Sequence, residues 1–320
     1  MAFGIAGAGQ ERWPNGGGTP LTTTQAASNR PLSSETSVTV VVATRNRAAE
    51  LCRTLDRLAC LPERPQVIVV DNASRDGTCA AVRERHPAVE SIRLTANRPT
   101  WARNVGTVRA TTPYVAFSDD DSWWAPGALQ HARAVLDAHP SLGLVAARTL
   151  VGPDNAEDPI NGRMAASPLP RGGLPGPRIL GFLACAVVVR RAAFLEVGGY
   201  SKMLGIGGEE RLLAADLAAA GWAAVYLEEM VAYHHPSPIR QTVRRRCLLA
   251  RNEALFAWLR RPARRALVTT GSLARRAWRD PVAARAIVAL LLALPRALMQ
   301  RRALPPQIEA QLRVLEAGDG

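Results

Sequence analysis

Runs of uncharged, β-branched residues alternate along the chain with stretches in which apolar residues recur every three or four positions, and that alternation predicts the architecture. Val38 to Ala43 is an unbroken apolar run of the kind found in strands buried on both faces. Thr44-Arg-Asn-Arg47 follows as a loop, and Leu51, Leu55 and Leu58 then recur at helical spacing. The unit repeats. Gln66 to Asp71 reads as a second buried strand, Asn72 to Thr78 as turn chemistry, and Ala80 to Arg85 as a short helix. Val89 to Leu94 makes a third strand, Pro99 opens a helix through Ala110, and Tyr114 to Phe117 makes a fourth strand. Four such alternations predict an α/β domain whose sheet is parallel and wound by right-handed crossovers.

Beyond Pro126 the pattern predicts a helix presenting Leu129, Val135 and Leu136, a strand near Leu142 to Ala147, and an irregular stretch rich in Pro and Gly from Gly152 to Arg178. Ala184 to Arg190 is a further strand and Ala192 to Val197 a short helix. Gly207 to Gly221 reads as a glycine loop entering a helix that stops at a glycine. Ala223 to Leu227 and Met230 to Tyr233 read as two short strands, the second delivering His234-His235. Residues 1–36 carry few large apolar side chains and are expected to form a disordered leader.

Charge divides the chain. The formal net charge is +13, yet 16 Arg and only two acids, Glu253 and Asp280, lie between Arg240 and Arg302, so the body before them is nearly neutral. Residues 238–320 are thus expected to be a basic helical region following a domain of residues 37–237. There Arg residues interleave with Leu, Phe and Trp as in amphipathic helices, and the uncharged run Ala286 to Pro295 is too short to span a bilayer but suits an interfacial helix. The alternative is an ordinary solvated helix pair packed on the body. Five scattered cysteines suggest neither a disulfide framework nor a zinc site, and no secretory signal is visible at the start.

The candidate chemistry begins at Asp119-Asp120-Asp121, which follows the strand at Tyr114. Adjacent carboxylates repel one another unless solvent or a cation relieves them, and hard oxygen donors suit Mg²⁺ or Mn²⁺. The local alternative is an acidic turn capping the next helix. Taken in order, Val38 to Arg47, Val67 to Thr78, Asn97 to Gly106 with Arg103-Asn104, the Asp119 to Asp121 cluster and Gly208-Glu209-Glu210 resemble family 2 glycosyltransferases of the GT-A fold.

That resemblance implies a Rossmann-like, mostly parallel sheet with flanking helices and inverting transfer from a nucleotide-diphosphate sugar to an acceptor hydroxyl. It places Thr44, Asp71, Arg103, Asp119 and Asp120 at the donor. Asp121 and Asp119, completed by His234, would hold a divalent cation (Mn²⁺ or Mg²⁺). It makes Glu210 the general base at a position usually held by Asp, with Glu209 able to share or take that role. Trp123-Trp124 would form a wall beside the carboxylates. The acceptor would be lipid-linked or a cell-envelope glycan, met at the cytoplasmic membrane face through the basic C-terminal helices. Rival readings are a nucleotidyltransferase, which would require glycines after the first strand that Ala43 to Arg47 lacks, and a non-catalytic sugar-nucleotide binder. A nucleic-acid binder would be expected to show a recognisable motif, and none is visible, so no nucleic-acid partner is expected.

Overall fold

The computed structural model describes residues 22–23, 37–236 and 242–318. The expected leader lies outside these residues except for Thr22–Thr23 (β1), and the expected boundary after residue 237 also lies outside them. The first half follows the predicted alternation: β2 (Val38–Thr44), α1 (Ala48–Ala59), β3 (Gln66–Asp71), α2 (Thr78–Arg85), β4 (Glu90–Arg93), α3 (Pro99–Arg109) and β5 (Tyr114–Asp119). β4, β3, β2 and β5 lie side by side in that order, all parallel, and β1 pairs antiparallel with the outer edge of β4.

The second half completes one ten-stranded sheet. Its elements are β6 (Ser122–Trp124), α4 (Ala128–Ala138), β7 (Leu142–Val151), β8 (Ala156–Glu157), α5 (Pro159–Ala165), β9 (Val187–Arg190), α6 (Arg191–Glu196), α7 (Glu209–Ala219) and β10 (Ala223–His234). The sheet is mostly parallel, as expected, with β9 running antiparallel between β5 and β7. Two expectations are corrected here. The Pro- and Gly-rich stretch is not wholly irregular, because Asp158 caps α5 by accepting a hydrogen bond from the Ile160 amide. The two expected short strands are one long strand, β10, whose register against β7 shifts between Leu227 and Val231.

Alternation along β2 divides the core between the two faces of the sheet. Val40 and Val42 pack with Leu51, Leu55 and Leu58 of α1 on one side. Val41 points the other way, to Ala102 and Val105 of α3. Each such leucine, fully buried, stabilises the fold by about 1.5–3 kcal/mol. The helix α3 comes so close to β2 that a Cβ on Gly106 would overlap the Val41 side chain.

The C-terminal helices are α8 (Val243–Arg260), α9 (Ala263–Ala277), α10 (Pro281–Met299) and α11 (Pro306–Gly318). Their buried residues, including Leu255, Phe256, Leu290 and Leu312, join the same core cluster as Val41 and Phe117. The apolar run at Ala286 belongs to the whole of α10, 19 residues that include an 18-residue stretch of mean hydropathy 1.9, which is long and apolar enough to cross a membrane by length and composition. The ten-residue estimate fell short because it stopped at Arg285 and Arg296, which the helix carries within it.

Polar contacts lock α8 and α11 onto α7. Arg260 pairs with Asp216 through both carboxylate oxygens, at 2.5 and 2.9 Å. Arg261, 4% exposed, donates to Glu309 at 2.5 and 3.0 Å and to Glu316 at 2.6 and 3.2 Å, and Glu316 also accepts from Arg211 of α7. Although burial opposes ionisation of Glu316, Arg261 and Arg211 hold its carboxyl down at about 2.

Asn252 of α8 is 1% exposed, and its side-chain amide donates to the carbonyls of Leu204, Ile206 and Gly207 at 2.9, 3.1 and 2.6 Å. Arg251 adds a bond to the Leu204 carbonyl at 2.7 Å. The glycine loop before α7 is therefore held from behind by α8. Asn252→Ala removes these donors from partly dehydrated carbonyls and is expected to cost about 1–3 kcal/mol. A lower urea midpoint with faster amide exchange across residues 204–210 is the expected result; an unchanged midpoint and exchange pattern would count against this anchoring.

Candidate active site

Parallel pairing brings the carboxyl ends of three strands to one edge. Thr44 stands opposite Asp71 across the β2–β3 pair, and Ala43 opposite Asp119 across β2–β5. Ligands of open α/β sheets bind at this edge. Asp71 is 1% exposed; it accepts from the Ser74 amide and from the Cys79 thiol, both at 2.9 Å. Burial and the bond to Asp71 push the Cys79 thiol up to about 11, so it stays protonated as a donor. Beside it opens a cavity of about 600 Å³ whose lining includes Arg45, Ser74, Arg75, Cys79, Arg93 and Asn97.

The three aspartates diverge. Asp119 pairs with the buried Arg103 of α3. Burial opposes the charge of Arg103, yet Asp119, Tyr200 and Glu209 hold it firmly protonated. Asp120 turns inward, 7% exposed: Thr44 Oγ1 donates to its Oδ2 at 2.9 Å, and Arg47 Nε stands 3.0 Å from its Oδ1. Burial pushes Asp120 up to about 7, with Arg47 pulling down and the charges of Asp119 and Asp121 pushing up. Thr44 and Asp120 thus face each other in the interior. Asp121 accepts from Arg47 Nη2 at 3.0 Å and lies 3.4 Å from His234 Nε2.

β6 explains the position of His234. The three residues after Asp121 pair antiparallel with β10, setting His234 opposite Ser122. Alternation then separates the tandem histidines. His234 turns to Asp121, while His235 sits 4.7 Å from the Trp123 ring, edge-on. Donor atoms of Asp119, Cys185 and His234 lie within 4.8 Å of one another. Cys185 was not apparent as a site residue in the sequence, since it precedes β9 and reaches the cluster only through the antiparallel insertion of that strand. Trp124 is 1% exposed and belongs to the core, and Trp123 stacks on Tyr233 at 5.8 Å beneath the Arg57 guanidinium, so the expected wall beside the carboxylates is not formed by the pair.

Glu209 and Glu210 open α7 after Gly207 and Gly208, whose φ values of 93° and 86° fall where glycine is at ease. Glu209 is buried and Glu210 partly so. Burial raises both carboxyls, and the charge of Glu210 raises Glu209 further, while Arg103 opposes the shift in each. Arg103 therefore links the aspartate cluster to the glutamate pair. A carboxylate with a raised pKa can accept a proton near neutral pH, and the oxygen, imidazole and thiol donors beside it can hold a divalent cation.

The model of the family described as "Glycosyl transferase family 2" matches residues 39–198. An N-acetylglucosaminyl-diphospho-decaprenol L-rhamnosyltransferase of Mycobacterium tuberculosis is 28% identical over 236 residues, covering 61% of this chain and 75% of that protein. A pre-mycofactocin glycosyltransferase of the same organism is 30% identical over 258 residues, covering 75% of this chain and 52% of the relative. Among solved structures, the Pyrobaculum calidifontis mannosyltransferase PcManGT in complex with GDP-Man and Mn²⁺ superposes with a TM-score of 0.55 at 23% identity, covering 94% and 90% of the two chains. Residues 1–349 of S. aureus TarS in complex with UDP-GlcNAc give a TM-score of 0.57 at 16% identity, covering 88% of each chain. With the mixed sheet, the strand-end acids and these likenesses together, the chain belongs to glycosyl transferase family 2 and is a glycosyltransferase of the GT-A fold.

Proposed function

We propose that the protein transfers a sugar from a nucleotide-diphosphate sugar to an acceptor hydroxyl with inversion. The observation that carries this reading is the convergence of the aspartate cluster, His234 and the glutamate pair around Arg103. In this reading the 600 Å³ cavity above Asp71 takes the nucleoside, with Asp71 bonding base or ribose. Glu210 takes the proton of the acceptor hydroxyl as that oxygen attacks the anomeric carbon opposite the departing nucleotide, with Glu209 beside it. Asp119, Asp121 and His234 are the residues that would hold Mn²⁺ or Mg²⁺, and their mixed oxygen and imidazole set fits such an ion. When bound, the cation neutralises the diphosphate and eases its departure. Arg103 holds Asp119 and carries positive charge to the same place. Thr44 and Asp120 act from beneath, fixing Arg47 and the strand ends.

The acceptor is proposed to be carried on a lipid. The named substrate of the 28% identical rhamnosyltransferase is a diphospho-decaprenol, and the exposed side of α9 and α10 suits a bilayer surface. Val288, Leu291, Leu292 and Met299 project from α10, and Trp278, 90% exposed, stands at the α9–α10 turn beside Arg275, Arg276 and Arg279. Arg285 and Arg296 border this strip within about 20° of each other on the helix, as expected for a helix lying in the headgroup plane.

Asp121→Ala is expected to keep the fold while losing Mn²⁺-dependent thermal stabilisation by UDP-, GDP-, dTDP- or CMP-sugars. Undiminished stabilisation would remove Asp121 from the cation site. Glu210→Gln should lower kcat about 10²–10⁴-fold with donor affinity retained. Because the working base is the ionised form and its pKa is raised, the acid limb of kcat/KM in the wild type should lie above that of an ordinary glutamate and vanish with the base. A variant with wild-type turnover would shift the role to Glu209. In vesicle sedimentation the protein should bind phosphatidylglycerol-containing vesicles and not pure phosphatidylcholine, and Arg275→Glu/Arg276→Glu/Arg279→Glu should release it. Equal binding by that variant would refute the docking face.

A further inference from the structure

Cys185 is 4% exposed, and its sulfur shares the 4.8 Å cluster with a carboxylate oxygen of Asp119 and a ring nitrogen of His234. Diphosphate chemistry on Mg²⁺ or Mn²⁺ has no need of sulfur, since hard cations are served by oxygen. Three different donor types from three separate elements meet here: the end of β5, the approach to β9 and the end of β10. The location of the thiol is tied to the fold. Ser122 Oγ donates to the Cys185 carbonyl at 3.5 Å, and the Ala147 amide donates to the next carbonyl, of Ala186, at 2.8 Å.

We infer that Cys185 is a protein ligand of the cation site, and that it makes the site bind thiophilic divalent cations such as Zn²⁺ and Co²⁺ ahead of Mg²⁺. This inference rests on the proposed cation site and adds a donor to it. On a tetrahedral ion, sulfur at about 2.3 Å and nitrogen or oxygen at about 2.0–2.2 Å stand roughly 3.3–3.7 Å apart. The cluster as folded is within side-chain rotation of that spacing. Binding exchanges the S–H bond for an S–metal bond and releases the proton to solvent, so affinity for soft cations rises with pH. Asp121 borders this set, its Oδ1 3.4 Å from His234 Nε2, without belonging to the three donors that lie within 4.8 Å of one another.

The test is a Co²⁺ titration of the full-length protein in the absence of nucleotide sugar, followed by absorption. The expected spectrum has d–d bands of bound cobalt together with a near-ultraviolet thiolate-to-cobalt charge-transfer band. That band should vanish in Cys185→Ala and persist in Cys60→Ala and Cys79→Ala. Zn²⁺ affinity should fall about tenfold or more in Cys185→Ala, while Mg²⁺ affinity stays within about twofold. Cobalt bound with d–d bands but no charge transfer, or a band that survives Cys185→Ala, overturns the role of Cys185 and leaves the cation site standing. An absence of cobalt binding overturns both. Should Cys185→Ala fail to fold, His234→Ala must remove the same band; a band that remains there belongs to another thiol and overturns the inference.

Discussion

Five carboxylates crowd the carboxyl edge of this sheet, and their mutual repulsion in a poorly hydrated setting governs the arrangement around them. Asp119, Asp120, Asp121, Glu209 and Glu210 meet the guanidinium groups of Arg47 and Arg103. Two cations cannot neutralise five anions. The shortfall is met partly by protons, since burial moves Asp120 to about 7 and raises the glutamates. A buried charge that loses its partner costs several kcal/mol. Arg47 and Arg103 are accordingly structural requirements of the acids as much as tools for a ligand.

Much of this was legible in residues that act locally. The β-branched runs of β2 and β3 could only be buried strands, and Pro99 marked the start of α3. Asp119 to Asp121, Glu209-Glu210 and His234 stood out because each follows a strand end or a glycine loop. What stayed hidden depended on pairing between distant segments. Ser122–Trp124 is three residues long and becomes a strand only because β10 lies beside it. β9 carries the same apolar pattern whether parallel or antiparallel, so its direction could not be read. Cys185 and Asn252 have no local signature, and each acquires its role from contacts with remote segments.

The arginine-rich end shows how composition can mislead. A count of charges treats Arg251, Arg260 and Arg261 as equal to Arg275 and Arg279. In the fold the first group turns inward: Arg251 bonds the loop before α7, Arg260 grips Asp216, and Arg261 is 4% exposed between two glutamates. Only the second group lies open at the α9–α10 turn. Basic residues in this region therefore serve two purposes, and the apolar core shared with the sheet makes the helices part of the catalytic body.

The bond between Arg211 and Glu316 joins residues 105 positions apart, and Arg261 waits on the same glutamate. Protein synthesis runs in one direction, at roughly 5–20 residues per second. For several seconds after α7 leaves the ribosome, its acidic first turn has neither the Asn252 anchor nor the α11 clamp. During that interval the loop carbonyls of Leu204, Ile206 and Gly207 lack the donor that Asn252 supplies in the finished fold. Closure around α7 thereby waits on a residue made 105 positions later.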